Sequence, residues 1–187
     1  MADTVTKIRF WTIADFKEEE DWLREMARKG LHFLHMTVPC FYTFERGEPR
    51  DVIYRLDFTN NNEGGDYNRM LAEFGWENCG HCMGWIYWRR NADEMADERE
   101  GELFSDDASR LDMVKKVVQT RMLPLLVIFL CCVVPNLVRA INDELYGASG
   151  FFLGFFGVMF VLYVYLLTHC GVKLRRMRKE LEGKDSF

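Results

Sequence analysis

The sequence predicts an α+β fold, a ferredoxin-like antiparallel sheet with two helices, followed by a two-helix transmembrane hairpin. Three observations predict it. Residues 1–92 interleave short alternating runs with two stretches of helical periodicity. A unit of helix, glycine stop and bulky apolar strand start occurs twice. Residues 122–172 carry no charge apart from Arg139, Asp143 and Glu144. The whole-chain averages, 187 residues with 49% hydrophobic content and a net charge of −5, suit one ordinary soluble domain and conceal this split.

Alternation over residues 7–12 puts Ile8 and Phe10 on one face and Arg9 and Trp11 on the other, as in a half-buried strand. A helix follows. Asp15 and Glu18 resemble a capping box, Phe16, Leu23, Met26 and Ala27 share a face with Trp22 at its margin, and Gly30 is placed to end the helix left-handed. The acidic run 18–21 reads as a solvated helix start favoured by the helix dipole. Extended runs follow at 31–37, 40–46 and 52–58; Gly47, Glu48 and Pro49 suggest a hairpin joining the last two. Asp66 then caps a helix carrying Tyr67, Met70, Leu71 and Phe74, which Gly75 ends. Strands 76–83 and 85–90, parted by Gly84, complete a β-α-β-β-β-α-β-β order. Met26 to Leu31 and Leu71 to Trp76 are the matching pieces of the repeat.

Residues 93–121 read as an acidic linker and a juxtamembrane helix. Residues 91–107 hold eight acids against Arg99, and Leu111, Val114, Val117 and Val118 then form an apolar stripe. The apolar stretch 122–172 divides into spans 122–138 and 147–172. The first is at the short end of what crosses about 30 Å of hydrocarbon, and the second is long enough to tilt. Pro124 falls in the first turn of its helix, and Pro135 with Asn136 marks the far end. Basic residues flank the pair on its outer sides, with the tail 173–187 rich in Lys and Arg, so the positive-inside rule makes both termini cytoplasmic. The first 30 residues lack an apolar targeting segment. Gly150 and Gly154 lie on a small-residue face of the second span, which suits packing against the first span or a homodimer seam.

Residues 79–82, Cys-Gly-His-Cys, carry the spacing of a dithiol redox site, but a strand setting gives none of the helix-start activation such a site uses. The same Cys79 and Cys82 with His32 and His35 have the ligand types of a zinc site, with half-sites on two strands. Neither a glycine-rich phosphate loop nor a nucleophile–base pair is present, so no enzyme activity and no cofactor are expected. The aromatic residues Trp11, Tyr42, Tyr54, Trp85 and Tyr87 form either the core beneath the helices or a partner surface. Nucleic acid is excluded as a direct partner by charge: residues 1–121 hold 24 acidic and 17 basic side chains, a net of −7. The acids Asp93, Glu94, Asp97 and Glu98 suit a basic protein partner instead.

Several of these residues also carry a family likeness. The runs Lys7 to Phe10, Trp22-Leu23 with Met26-Ala27 and Gly30, Tyr42 and Phe44, Tyr54 and Leu56, Gly75-Trp76, and Gly84-Trp85 with Tyr87 resemble the bacterial domain of unknown function 2812 family. The resemblance implies a protein held in the bacterial plasma membrane beside a PadR-type transcriptional repressor, acting in envelope or drug response. It brings no catalytic residues. The expected function is therefore a membrane-anchored regulatory module that binds a repressor, with a sensor of an amphipathic small molecule as the alternative.

Overall fold

The computed structural model describes residues 3–58, 64–95, 103, 107–142 and 149–184. The chain forms two units, residues 1–116 and residues 117–187. The first is α+β. Its elements are β1 (Thr4–Ile8), α1 (Phe16–Arg28), β2 (Leu31–Thr37) and β3 (Phe41–Arg46), then β4 (Val52–Phe58), α2 (Gly64–Glu73), β5 (Glu77–Cys82) and β6 (Trp85–Asn91). The repeat seen in the sequence is a β-α-β-β motif used twice.

Each motif closes its own antiparallel sheet, with orders β1-β3-β2 and β4-β6-β5. The strands thus divide between two three-stranded sheets of identical order rather than forming one. The expected β3–β4 hairpin is not made. Both edges of β3 are already taken by β1 and β2, so β4 has nothing to pair with there and opens the second sheet with β6.

Helix α1 follows its stripe: Phe16, Leu23, Met26 and Ala27 are buried. Asp15 caps differently from expectation, because its carboxylate accepts from the Thr12 N–H and hydroxyl behind it. Gly30 (φ +76°) ends the helix left-handed as expected, and a Cβ there would lie 2.5 Å from the Gly47 carbonyl oxygen. The start of the second helix, where Asp66 was expected to cap, lies among residues whose side chains are not described; Gly75 (φ +82°) ends it.

Strand β4 is buried along nearly its whole length because both faces are covered. Tyr54, Leu56 and Phe58 share a face with Trp85 and Tyr87 of β6 and meet α1 through the Phe16–Trp85 contact. On the opposite face Ile53 and Trp88 pack with Leu71 of α2 and Trp76. Its sequence, VIYRLDF, is apolar apart from Arg55 and Asp57, and Asp57 is itself only 7% exposed, hydrogen-bonded to Tyr67 of α2. Strand β1 departs from expectation: it spans Thr4–Ile8, leaving Ile8 64% and Phe10 74% exposed.

The juxtamembrane helix, which ends the first unit, leads along the chain into the helical elements of the first span. α3 (Asp107–Val117), α4 (Leu123–Ile128) and α5 (Val134–Asn142) are joined by π turns at Val118–Met122 and Phe129–Val133. Each π turn ends two residues before a proline, Pro124 or Pro135. The ring would strike the carbonyl four residues back, and the wider turn relieves that clash, so Pro135 does not end the helix as expected. Asn136 donates from Nδ2 to the Cys132 carbonyl, 2.6 Å away, beside the wider turn. α6 (Ser149–Lys184) is the last helix. Two stretches, Leu111–Ile141 and Leu153–Glu180, are long and apolar enough to cross a membrane. Among the described residues, Cβ atoms at Gly150, Gly154 or Gly157 would meet nothing within 4 Å.

Candidate functional site

The apolar stripe of α1 is interrupted by two acids. Phe16, Glu19, Glu20, Leu23, Met26 and Ala27 are its buried residues, and Glu19 and Glu20 are only 6% and 8% exposed. The solvated helix start expected for residues 18–21 is therefore wrong for these two. Helical spacing explains why: positions three and four after Phe16, and three and four before Leu23, fall on the inward face. That signal was in the sequence, overridden by the charge of the run.

The two carboxylates have different work. Glu20 accepts from the Leu56 backbone N–H at 2.7 Å, and its other oxygen lies 3.5 Å from the Arg55 guanidinium. β4 is a sheet edge, so Leu56 has no strand partner on that side and the helix supplies the acceptor. Glu20 is thereby accounted for as structure.

Glu19 is not. Its Oε1 accepts from both the Tyr42 and the Tyr87 hydroxyls, each at 2.7 Å. Tyr42 comes from β3 of the first motif and Tyr87 from β6 of the second, so the carboxylate ties the two sheets together. Around it stand Phe33, whose ring centroid is 4.9 Å from that of Tyr87, and Trp22, 5.0 Å from Tyr42 and edge-on to it. The Tyr87 hydroxyl also lies 3.4 Å from Met36 Sδ. Among the described residues no Lys, Arg or His is ion-paired with Glu19, and Oε2 has no hydrogen-bond donor. Burial raises its pKa above the ordinary carboxylate value, against the two phenol hydrogen bonds that lower it. The same carboxylate, together with burial, pushes the Tyr42 and Tyr87 hydroxyls upward, so both stay protonated as donors.

A buried carboxylate without a cation is costly. Moving such an ion out of water costs several kcal/mol even after relaxation, and two hydrogen bonds to a charged group return about 1.5–3 kcal/mol each. Buried carboxylates of this kind occur both at binding sites and as structural groups; Asp57 of β4, 7% exposed and raised by burial, is a second one.

The other expected site residues fall as follows. Tyr42, Tyr54, Trp85 and Tyr87 are core residues, so they form the interior around Glu19 and offer no external aromatic face; Trp11 is half-buried. Asp93 and Glu94 are exposed in a single 3-10 turn, while Asp97 and Glu98 lie outside the described residues. Cys79 and Cys82 lie on β5, a strand as expected. The Cys79 thiol donates to the Tyr87 carbonyl, and burial pushes it up to about 12. Burial, with Glu19 adding, also raises Cys82. Neither is an activated thiolate. His32 places Nε2 2.9 Å from the Glu48 carbonyl. Cys79, Cys82, His32 and His35 are not brought together as a ligand set: among the described residues, no three His, Cys, Asp or Glu side chains converge on one point.

A concavity of about 510 Å³ lies where the β3–β4 turn meets β6. Its charges are answered internally, with Arg89 on Glu77 at 2.9 Å, Arg50 on Glu48 at 3.9 Å and Arg90 donating to the Glu94 carbonyl.

The family model described as "Protein of unknown function (DUF2812)" matches residues 15–128, which run from the start of α1 into the first long apolar helix. No curated protein and no solved structure matches the chain.

Proposed function

The chain belongs to the domain of unknown function 2812 family, and we propose that it is a membrane-anchored regulatory module without enzymatic activity, acting on a protein partner. In this reading the two long apolar helices anchor it in a bacterial plasma membrane with both termini cytoplasmic, and the α+β unit works in the cytosol. The observation that carries the partner reading is a group of large apolar side chains at one end of the sheet β1-β3-β2. Ile8 pairs across the ladder with Phe41, and Phe10 and Val38 continue the group; their exposures are 64%, 39%, 74% and 52%. Apolar residues grouped in this way on a soluble face mark an interaction site. The partner implied by the family likeness is a PadR-type repressor, and the acidic balance of residues 1–121 suits a basic DNA-binding face, favouring encounter and specificity. The face at Gly150 and Gly154, clear to 4 Å of a Cβ among the described residues, leaves room for a second copy in the membrane.

The test uses the purified full chain and a purified PadR-type repressor from the same genome. Phe10→Asp with Ile8→Asp is expected to weaken their association at least about tenfold, or 1.4 kcal/mol, while unfolding shifts by less than about 0.5 kcal/mol. Equal binding by the variant, or no binding by either, defeats this reading.

A second reading, a sensor of an amphipathic small molecule, is favoured by Glu19. Buried between the two motifs without a cation, it is placed to couple a ligand to the packing of both sheets.

A further inference from the structure

The outer edge of β1 fits a second copy of this chain, and we propose that two chains associate by antiparallel pairing of β1 with its counterpart, centred on Thr6. This goes beyond the repressor reading, because the pairing uses the strand's backbone and leaves the sheet face bearing Ile8 and Phe41 uncovered.

Hydrogen-bond direction decides which groups face outward. The Arg46 N–H donates to the Asp3 carbonyl at 2.9 Å and the Arg9 N–H to the Cys40 carbonyl at 3.0 Å, so Asp3, Val5, Lys7 and Arg9 are the residues bonded to β3. Thr4, Thr6 and Ile8 alternate with them. These three are exposed, and they turn their N–H and C=O groups away from β3, to a side where no strand pairs among the described residues. Such a row of backbone groups is a template for another strand.

The other sheet edges are closed to that use. On β4 the Leu56 N–H is taken by the Glu20 carboxylate, and β2 and β5 each carry a register break, at Phe33/His35 and at Asn78/Gly80. β1 has neither device. Its register with β3 is unbroken, it holds no proline, and Thr4, Val5, Thr6 and Ile8 all favour strands.

Its charges choose the occupant. Pairing centred on Thr6 sets Asp3 of one copy opposite Arg9 of the other, twice by symmetry, with Val5 opposite Lys7 and Thr4 opposite Ile8. The Asp3–Arg46 pair at 3.3 Å is exposed and worth little, so Asp3 can exchange it. Moving the axis to Lys7 or Ile8 sets Lys7 against Lys7 or against Arg9. Like charges directly opposite are destabilising, so the side chains that repel an arbitrary strand also specify this register.

The experiment uses the purified full chain in detergent micelles, read by oxidative crosslinking and by sedimentation. Thr6→Cys puts a thiol on the symmetry axis, at a strand separation a disulfide bridges, and is expected to give a covalent dimer well above the level of the unaltered chain or of Thr37→Cys, an exposed position on β2. Thr6→Pro removes an outward N–H while β1 keeps its bonds to β3, and is expected to weaken dimerisation at least about tenfold. Asp3→Lys is expected to weaken it as well, and more at low salt than at high. Crosslinking of Thr6→Cys no greater than that of Thr37→Cys overturns the proposal, and it decides the matter by itself if Thr6→Pro does not fold. A dimer that persists in Thr6→Pro and is lost in Gly154→Leu assigns the association to the long apolar helices and overturns it too. So does a monomeric chain whose repressor binding falls in Thr6→Pro, which would make the repressor the occupant of this edge.

Discussion

The two β-α-β-β motifs share strand order, a glycine stop after the helix and a strand opening on a bulky residue, yet their helices meet buried acids in different ways. α1 brings two carboxylates under its sheets, whereas Leu71 of α2 and the following Trp76 pack with Ile53 and Trp88, and the second motif buries one carboxylate of its own, Asp57 of β4, hydrogen-bonded to Tyr67 of α2. The motifs differ in how the buried acid is answered: Glu19 by phenols from both sheets, Asp57 by the Tyr67 phenol of its own motif.

The largest test of this comparison lies within the second motif. Trp88 is 1% exposed and central to the apolar cluster of the second motif, so Trp88→Ala is expected to cost about 3–5 kcal/mol in urea unfolding of the full chain. A loss under 1 kcal/mol would mean that this cluster does not hold the second motif together. Next comes the matched pair of glycine stops. Gly30 and Gly75 have nearly the same dihedral, +76° and +82°, but a Cβ at Gly30 meets a backbone oxygen at 2.5 Å, whereas at Gly75 it meets the movable Arg90 side chain at 3.2 Å. Gly30→Ala is expected to cost about 2–3 kcal/mol and Gly75→Ala about 1 kcal/mol, since both carry the left-handed penalty and only the first adds a fixed clash. Equal costs would remove the backbone contact as a cause.

Much of this plan was legible beforehand, for reasons that differ by element. Gly30 and Gly75 announced helix ends because few other residues take that conformation, and the apolar stripes announced both helices. The β3–β4 hairpin misled because Gly47, Glu48 and Pro49 are good turn residues wherever the chain reverses; which strand it then pairs with is a tertiary matter that no local signal contains. Ile8 and Phe10 misled because alternation reports two faces without saying that either is covered. Glu19 was hidden for the opposite reason: its position on the stripe was readable, but charge ordinarily outweighs position in deciding what is buried, and the two phenols that accompany it come from residues 23 and 68 places away.

The smallest expected effect is the most diagnostic of the carboxylate itself. Glu19 has its folded pKa raised, so its contribution to stability is fully present below the ordinary glutamate value of 4.5 and is lost as pH rises through the folded value. At neutral pH its buried charge is a burden, and Glu19→Gln is expected to raise stability by about 1 kcal/mol. Lowering the pH should shrink that advantage until the two proteins converge. Asp51 supplies the opposite slope as an internal reference. The Arg24 and Arg28 guanidinia beside it, at 2.7 and 2.8 Å, hold its carboxyl well below the usual range, so its contribution is present above 3.8 and is lost as pH falls. Unfolding midpoints of Glu19→Gln and Asp51→Asn, measured against the unaltered chain from pH 7 to pH 3, should therefore behave differently: the Glu19→Gln advantage shrinks toward pH 4.5, whereas the Asp51→Asn deficit holds down to about 3.8 and only begins to close below it. A Glu19→Gln advantage that stays constant across this range would show that Glu19 titrates alike in the folded and unfolded chains, and burial would then impose no charge penalty on the first motif.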